Sequence, residues 1–372
     1  MTSVAFHVDQ ALFPVPGGIG TYIRELIPAL RAADPSLKIV PFHATLPDPG
    51  PAPWMEGLRR VVLPASIKRL YPGWDLAGRP ALPASLGRLD LVHAPLPAAI
   101  PPPGPGQRLV VTVHDLAFRS YPRLFPRSWR TLYRLGTRRA ARRADAIIVP
   151  SQSTARDLVR FDRADPGRIH IVPLAASLPE TEVDPDDVLK RLKVPKPYVL
   201  FVGTLEPRKN CVRLVRAYRR SVARAGLPHA LVLAGPLGWG TQGLHRELAL
   251  QGPGEIHLTG GVGGAELDAL YRGADIFVYP SLYEGFGLPP LEAMARGVPT
   301  IASATSSLPE VTGDAALAVD PGSVLHLADA IERLLTDRVE RERLAAAGRE
   351  RAAAFSWDRT ARMTLEVYRS VI

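Results

Sequence analysis

The sequence has little cysteine and no long hydrophobic run. Cys211 is the only cysteine among 372 residues, so the chain cannot form an internal disulfide bond, which suits a reducing compartment. The opening residues MTSVAFHV carry neither the basic nor the apolar segment of a secretory signal. No apolar run approaches the roughly 18 residues that a membrane-spanning helix needs. We therefore expect a cytoplasmic protein without a transmembrane segment.

Motifs for metal and nucleic acid are missing from the places where they would act. No Asp-X-Asp motif stands at the end of an expected strand, where a pair of metal-binding carboxylates belongs. The acidic pair Asp186-Asp187 falls instead in a proline-containing segment, 177–195, that we interpret as a linker. The motifs of known nucleic-acid-binding modules are also absent. We therefore expect no metal, no cofactor and no nucleic-acid partner.

The charge of the chain is concentrated in its N-terminal half. The net charge is +10, and residues 1–180 carry 23 Lys and Arg against 13 Asp and Glu, whereas residues 181–372 carry 23 of each sign. An excess of positive charge favours an anionic partner, such as lipid or a phosphorylated substrate. A length of 372 residues predicts two domains.

Much of the positive charge lies in one short segment. Residues 119–143 contain nine arginines and no acidic residue. Six of them recur at steps of three and four residues and so form one stripe of a helix. These six are Arg123, Arg127, Arg130, Arg134, Arg138 and Arg142. The apolar residues Trp129, Leu132, Tyr133 and Leu135 lie largely off the stripe and are expected to dock the helix. The pattern indicates either a peripheral contact with an anionic membrane or a solvated basic helix.

A second pattern, strand, glycine turn and helix, occupies residues 276–297. Ile276–Tyr279 is a short apolar strand, and Gly285 and Gly287 allow the backbone to approach a ligand closely. The helix formers 291–295 follow, and Gly297 is expected at the position just beyond the helix. The start of such a helix presents free N–H groups and partial positive charge, which favour phosphate.

Two carboxylates frame this glycine turn. Glu284 is expected in the turn and Glu292 in the first turn of the helix, eight positions later. A phosphate site between two carboxylates suits a ligand that has both phosphate and many hydroxyl groups. The pattern therefore predicts a sugar nucleotide as the ligand.

Other candidate residues follow expected strands, and ligands of open α/β sheets bind at this edge. Arg208 and Lys209 come after the strand 198–202, where two cations can neutralise a diphosphate. His93 and His114 end two strands in the N-terminal half. The glycines at 17, 18 and 20 are expected ahead of a helix and form a second, weaker candidate phosphate site.

Three motifs give the chain a resemblance to a known family. The segment YPSLYEGFGLPPLEAMARGVP at 279–299, together with VTVHDL and GTLEPRKN, resembles the signature of retaining glycosyltransferases of family 4. The resemblance implies the GT-B fold, an α/β architecture with two doubly wound Rossmann-like domains that face a central cleft. The acceptor would bind to domain 1–178, on which a helix at 356–372 packs, and the donor to domain 196–355.

The resemblance also implies roles for individual residues. Arg208 and Lys209 would clamp the diphosphate, Glu284 would orient the hexose, and His114 would hydrogen-bond the transferring sugar. Many relatives have arginine where this chain has Thr204, so the clamp would depend more on Arg208. The implied donor-binding residues are Gly17, Gly18, Gly20, Thr204, Val262, Gly285, Phe286, Gly287, Leu288 and Glu292.

The resulting hypothesis is a metal-independent retaining hexosyltransferase. Its donor would be a GDP- or UDP-sugar, with mannose as a guess from the family, and its acceptor a lipid-linked or cell-surface glycan. It would act in the cytoplasm, peripherally on the inner face of the plasma membrane. The alternatives are a sugar-nucleotide epimerase of the same fold and a non-catalytic binder of nucleotide sugars.

Overall fold

The computed structural model describes residues 2–14, 17–87, 89–177, 181 and 183–372. The chain divides into two compact units. The N-terminal unit contains residues 1–174 and 356–372, and the C-terminal unit contains residues 175–355. Each unit is an α/β layer structure built on its own parallel sheet.

The sheet of the N-terminal unit has, within the described residues, seven parallel strands in the order β3-β2-β1-β4-β5-β6-β7. The strands are β1 (Ser3–His7), β2 (Lys38–His43), β3 (Val61–Val62), β4 (Leu91–Ala94), β5 (Arg108–Thr112), β6 (Ala146–Val149) and β7 (Ile169–Ile171). The central strands are almost wholly buried because helices cover both faces of a parallel sheet. The helices are α1 (Gly17–Ala33), α2 (Ile67–Pro72), α3 (Ala117–Ser120), α4 (Arg127–Arg143) and α5 (Gln152–Asp162).

The sheet of the C-terminal unit has six parallel strands, counted over its described residues, in the order β10-β9-β8-β11-β12-β13. The strands are β8 (Tyr198–Val202), β9 (Ala230–Ala234), β10 (Ile256–Gly260), β11 (Ile276–Tyr279), β12 (Thr300–Ser303) and β13 (Leu317–Val319). The helices are α6 (Pro185–Arg191), α7 (Cys211–Ala225), α8 (Gln242–Ala249), α9 (Gly264–Gly273), α10 (Leu288–Ala295), α11 (Leu308–Thr312), α12 (Val324–Thr336) and α13 (Arg338–Ala353).

The last helix, α14 (Trp357–Val371), belongs to the N-terminal unit. Ser356 caps it by accepting a hydrogen bond from the backbone N–H of Arg359. The Thr360 hydroxyl donates to the carbonyl of Pro173 at 2.7 Å, and the Tyr368 hydroxyl lies 2.6 Å from Nδ1 of the buried His93. These bonds fix α14 against the sheet of this unit.

Two expectations about boundaries were wrong. The segment 177–195, predicted to be a linker, includes α6, whose Val188 and Leu189 are buried in the C-terminal unit. Asp184 caps this helix, and capping by an aspartate ahead of a proline accounts for a helix in an acidic segment. Glycines 17, 18 and 20 lie inside the first turn of α1 rather than ahead of it.

The arginine-rich segment forms helix α4, and only part of its predicted apolar face docks. Leu132 and Tyr133 are half-buried against the core of the N-terminal unit, as predicted. Trp129 is 49% exposed and Leu135 is 38% exposed. The buried residues of α4 are small instead: Gly136, Thr137, Ala140 and Ala141. A Cβ atom at Gly136 would lie 1.9 Å from the carbonyl oxygen of Pro97. Small side chains allow α4 to pack directly on a loop backbone, whereas Trp129 and Leu135 remain at the surface.

No helix among the described residues is both long enough and apolar enough to cross a membrane. This finding includes α4, which carries arginines along most of its length.

We expect Gly136→Ala to lower the free energy of unfolding by about 1–3 kcal/mol, because the added methyl group overlaps a backbone carbonyl that a small side-chain movement cannot relieve. Urea unfolding would measure the loss. Gly50→Ala is a matched control, since its Cβ would meet its nearest atom at an ordinary 3.6 Å. Equal stabilities of the two variants would contradict this account of how α4 packs.

Candidate functional site

The candidate site of the C-terminal unit lies where two neighbouring strands end. Strands β8 and β11 pair in parallel, so their carboxyl ends reach the same edge of the sheet. Arg208 and Lys209 lie in a 3-10 turn, Pro207–Lys209, between β8 and α7. Glu284 lies in the loop between β11 and α10. The topology thus brings Glu284 to Arg208 and Lys209, although Lys209 lies 75 positions earlier in the sequence.

The carboxylate of Glu284 is the centre of this cluster. Its Oε1 accepts hydrogen bonds from Lys209 Nζ at 2.7 Å, Ser281 Oγ at 2.5 Å and the Tyr279 hydroxyl at 3.1 Å. Its Oε2 lies 2.8 Å from Nη1 of Arg208. Burial alone would raise the pKa of Glu284, but the two cations and the hydrogen bonds lower it to about 2. Glu284 is therefore ionised throughout the physiological range.

Glu206 completes the cluster. Its Oε1 lies 2.6 Å from Nη2 of Arg208, and Nη1 of Arg208 also donates to the carbonyl of Tyr283 at 2.9 Å. Burial raises the pKa of Glu206 although Arg208 lies beside it, and burial with the nearby Arg208 lowers the pKa of Lys209. Two cations and two carboxylates thus balance one another. Sequence reasoning predicted the cations but not their pairing with Glu206 and Glu284.

The loop that leads into α10 is held by two serines that sequence reasoning missed. Ser306 Oγ accepts from the Glu284 N–H at 2.9 Å, and Ser307 Oγ bonds to the carbonyls of Glu284 and Phe286 at 2.9 and 2.7 Å. Gly287 has a φ of 121°, and a Cβ there would lie 2.6 Å from Leu308. The only sequence signal for Ser306 and Ser307 was that two adjacent serines follow β12.

The second signature carboxylate, Glu292, lies apart from this cluster. It occupies the fifth position of α10, at the start of the second turn rather than in the first turn as predicted. Its Oε2 accepts a hydrogen bond from the Tyr271 hydroxyl at 3.0 Å. Burial raises the pKa of Glu292 to about 7, although that bond and the charge of Arg296 oppose the shift. Gly297 follows the end of α10 with a φ of 70°, as predicted for a residue beyond the helix.

The remaining predicted donor contacts of this unit lie at the same edge of the sheet. Thr204 follows β8 and Val262 follows β10, and both are partly exposed. A Cβ at Gly238 would lie 2.8 Å from Cγ2 of Thr204, so the loops after β8 and β9 are in close contact. Gly285, Phe286 and Leu288 belong to the loop and first turn of α10.

His114 lies in the N-terminal unit, just beyond β5. Its Nε2 is 3.1 Å from the carbonyl oxygen of Pro95, which only accepts hydrogen bonds, so Nε2 carries the proton and Nδ1 the lone pair. Burial lowers the pKa of His114 to about 4, although the bond to Pro95 opposes the shift. His114 is therefore neutral near pH 7, with Nδ1 as a hydrogen-bond acceptor.

A chain of buried polar groups lies behind His114. The ring of Tyr22 packs edge-on against it, with centroids 4.8 Å apart, and the Tyr22 hydroxyl lies 3.1 Å from Oγ1 of Thr112. Thr112 in turn bonds to Nε2 of His93 at 2.7 Å. Both nitrogens of His93 are hydrogen-bonded and its side chain is fully buried, so His93 has a structural role.

No group of three or more His, Cys, Asp or Glu side chains within the described residues could hold a metal ion.

Comparison with known families assigns both units. A model of glycosyl transferases group 1 matches residues 186–351, and a model of glycosyltransferase family 4 matches residues 16–178. O-antigen chain mannosyltransferase B of Escherichia coli is 34% identical over 269 residues, which are 71% of this chain and 70% of that protein. The chain belongs to the group 1 glycosyltransferases. It is therefore an enzyme of glycosyl transfer, and the family predicted from its motifs is confirmed.

Further relatives of this glycosyltransferase differ in length. Serotype-specific mannosyltransferase WbdA of Escherichia coli is 31% identical over 240 residues, which are 62% of this chain and only 29% of that protein.

Among solved structures, sucrose-phosphate synthase from Thermosynechococcus elongatus superposes with a TM-score of 0.75 at 23% identity, covering 100% of this chain and 99% of that one. Such similarity shows the fold alone, and the predicted GT-B fold is confirmed.

The first prediction for this site concerns the ion pair between Lys209 and Glu284. We expect Glu284→Gln to lower the free energy of unfolding by about 3–5 kcal/mol, because it leaves the buried Lys209 without its ion-pair partner. Lys209→Met should lower it by less, because Glu284 keeps its pair with Arg208. The double variant should lose less than the sum, with a coupling of about 1–3 kcal/mol. Denaturant unfolding of the four proteins measures this cycle. Strictly additive losses would show that the pair does not interact.

The second prediction concerns Glu292 and pH. Its pKa is raised from 4.5 to about 7 on folding, so its stabilising contribution is full below about pH 4.5 and is lost as the pH rises through 7. Glu292→Gln should remove this dependence, which corresponds to about 3 kcal/mol. Asp75 and Glu206 also have raised pKa values, so the readout is the stability difference between wild type and variant, measured by thermal unfolding from pH 5 to 8. A difference that stays constant with pH would refute the assignment.

Proposed function

We propose that this glycosyltransferase transfers a hexose from a nucleoside diphosphate sugar to a glycan acceptor, with retention at the anomeric carbon and without a metal ion. The observation that carries the proposal is the cluster of Arg208, Lys209, Glu206 and Glu284 at the edge of the C-terminal sheet. Retention and metal independence rest on the resemblance to family 4 and on the absence of an Asp-X-Asp motif at a strand end.

Arg208 and Lys209 would bind the donor diphosphate. Their carboxylate partners hold both cations in place before the ligand arrives, which reduces the cost of organising the site. The start of α10, reached through Gly287, adds the backbone N–H of Leu288, because Pro289 and Pro290 have no N–H and that of Leu291 bonds to the carbonyl of Gly287. In this proposal Glu284 acts first by positioning the cations, and orientation of the hexose requires one of its oxygens to exchange partners.

The sugar and ribose would be recognised by the other two candidates. His114 is neutral and offers Nδ1 as an acceptor for a hydroxyl of the transferring sugar. Glu292 would accept hydrogen bonds from the ribose hydroxyls. In the described structure, the hydroxyl of Tyr271 donates a hydrogen bond to this carboxylate instead. In the reaction, an acceptor oxygen forms a bond to the anomeric carbon on the face from which the diphosphate leaves. The acceptor proton passes to the departing phosphate oxygen.

Relatives suggest the sugar and the acceptor. Two similar proteins of Escherichia coli are named as mannosyltransferases, and one of them as an O-antigen chain enzyme. A solved structure of similar fold from Anabaena holds UDP and glucose. We therefore favour mannose as the sugar, carried on GDP or UDP, and a lipid-linked or cell-surface polysaccharide as acceptor.

Peripheral membrane association would bring the enzyme to such an acceptor. Arginines 127, 134, 138, 142 and 143 of α4 are exposed, and Trp129 and Leu135 are exposed beside them. Basic and apolar side chains together on one surface helix favour the interface of an anionic membrane.

Thermal unfolding with nucleotides and nucleotide sugars tests the donor. We expect a GDP- or UDP-sugar at 100 times its Kd to stabilise the protein by about 2.7 kcal/mol, with no change when EDTA is added. If no nucleotide or nucleotide sugar raises the unfolding temperature, the proposal is overturned. If EDTA abolishes such a rise, the metal independence is overturned.

Turnover tests the chemistry. With the donor found by thermal unfolding and a glycan acceptor, Glu284→Ala should lower the rate by about 100-fold or more if Glu284 organises the transition state. NMR of the product should show the anomeric configuration of the donor. Epimerisation of the sugar nucleotide without transfer would favour an epimerase instead.

A further inference from the structure

A surface pocket of the N-terminal unit includes the later arginines of α4. It has a volume of about 330 Å³ and lies between the last two turns of α4 and the π-helical turn Gly73–Ala77. Residues 75–78, Leu135, Arg138, Arg139, Arg142 and Arg143 line it, and we call it the α4 pocket. Its volume is in the range of small-molecule sites.

The arginines of the α4 pocket carry charge that the protein neutralises only in part. Arg138 lies 3.8 Å from Asp162, a long ion pair that Asp162 shares with Arg119. Arg142 and Arg143 are exposed and have no ion pair within the part of the chain that the structure describes. Burial and the charge of Arg143 lower the pKa of Arg139, although Asp75 opposes the shift. An anion in the pocket would relieve this repulsion.

Asp75 is the acidic group that faces the arginines. Both of its carboxylate oxygens are buried and have no hydrogen-bond partner among the described residues. Burial raises the pKa of Asp75 to about 7, although Arg139 opposes the shift. Asp75 is partly protonated near neutral pH and cannot neutralise the four arginines that line the pocket. The pocket therefore keeps an excess of positive charge.

The edge of the pocket is apolar. Leu76 is 74% exposed at the tip of the π-helical turn, and Leu135 is 38% exposed on α4. A free phosphate would use the arginines but would leave both leucines in water. An anionic phospholipid in a bilayer uses both features, because its phosphate lies just above the acyl region that would receive the leucines.

We propose that the α4 pocket binds the phosphate headgroup of an anionic lipid, with Leu76 and Leu135 inserted beside it. This inference rests on the proposed membrane association and makes it specific. The arginine stripe alone predicts that any two exposed arginines of α4 contribute equally. The pocket predicts that Arg142 and Arg143 contribute more than the arginines nearer the start of the helix.

The test compares two double variants in a vesicle flotation assay. Arg142→Gln/Arg143→Gln removes two arginines of the pocket, and Arg127→Gln/Arg134→Gln removes two exposed arginines of the same helix that lie outside it. Both variants lose the same charge, and thermal unfolding checks that both fold. With vesicles of phosphatidylcholine containing phosphatidylglycerol, we expect the pocket variant to lose at least tenfold more affinity than the control.

Two further arms identify the source of the phosphate. Leu76→Ser should weaken binding to the same vesicles at least threefold and leave the binding of soluble glycerol phosphate unchanged. Equal losses in the two arginine variants would overturn the pocket while leaving the stripe in place. Tighter binding to glycerol phosphate or RNA than to vesicles, lost in the pocket variant, would overturn the lipid as ligand.

Failure of this inference is separate from failure of the proposed function. A wild-type protein that does not bind anionic vesicles overturns the pocket and the membrane association together. The nucleotide-dependent thermal shift is measured without lipid and tests the donor site in the other unit, so it stands or falls independently.

Discussion

The candidate site at the edge of the C-terminal sheet depends on the interactions of one ionised carboxylate, that of Glu284. It lies between the loops that follow two adjacent strands, β8 and β11, and accepts from Lys209, Ser281 and Tyr279 on one oxygen while pairing with Arg208 on the other. Isolated buried charges are costly, and here four of them offset one another. The two carboxylates thus hold Arg208 and Lys209 at the sheet edge where ligands of open α/β sheets bind, with no need of a bound ligand.

This neutrality changes how the site would hold a diphosphate. A cluster of bare cations would attract phosphate strongly but would repel itself in the free enzyme. In this glycosyltransferase Glu206 and Glu284 offset the repulsion, so a diphosphate must compete with internal carboxylates for the same N–H groups. In the proposed reaction, such competition would favour release of the nucleotide after transfer. The loop after β11, which the serines at 306 and 307 hold, also contacts the turn Pro207–Lys209 directly, because the N–H of Leu282 donates to the carbonyl of Arg208 at 2.9 Å.

Sequence patterns predicted the parallel sheets, most strand positions and the family, because buried parallel strands appear as aliphatic runs and the signature motifs lie at strand ends. These patterns did not predict the ion-pair and hydrogen-bond partners of the motif residues. The pairing of Arg208 with Glu206 depends on side-chain directions at a loop, and the serines that hold the glycine turn come from a different strand connection. The docking of α4 was predicted correctly for Leu132 and Tyr133 but not for Trp129 and Leu135, and the failure has a similar cause. An apolar residue signals burial, but contact through Gly136 depends on backbone approach, which hydrophobicity does not encode.

The place of α14 in the N-terminal unit has a consequence for synthesis of the chain. Ribosomes make residues 356–372 after the whole of the C-terminal unit, yet α14 packs on α1 and its Tyr368 bonds to His93 beneath the sheet edge that carries His114. A nascent chain can therefore assemble the second unit to completion while the first still lacks one of its helices. The hydrogen-bonded polar groups behind His114 are complete only once α14 has packed, so the N-terminal unit is completed after the C-terminal unit.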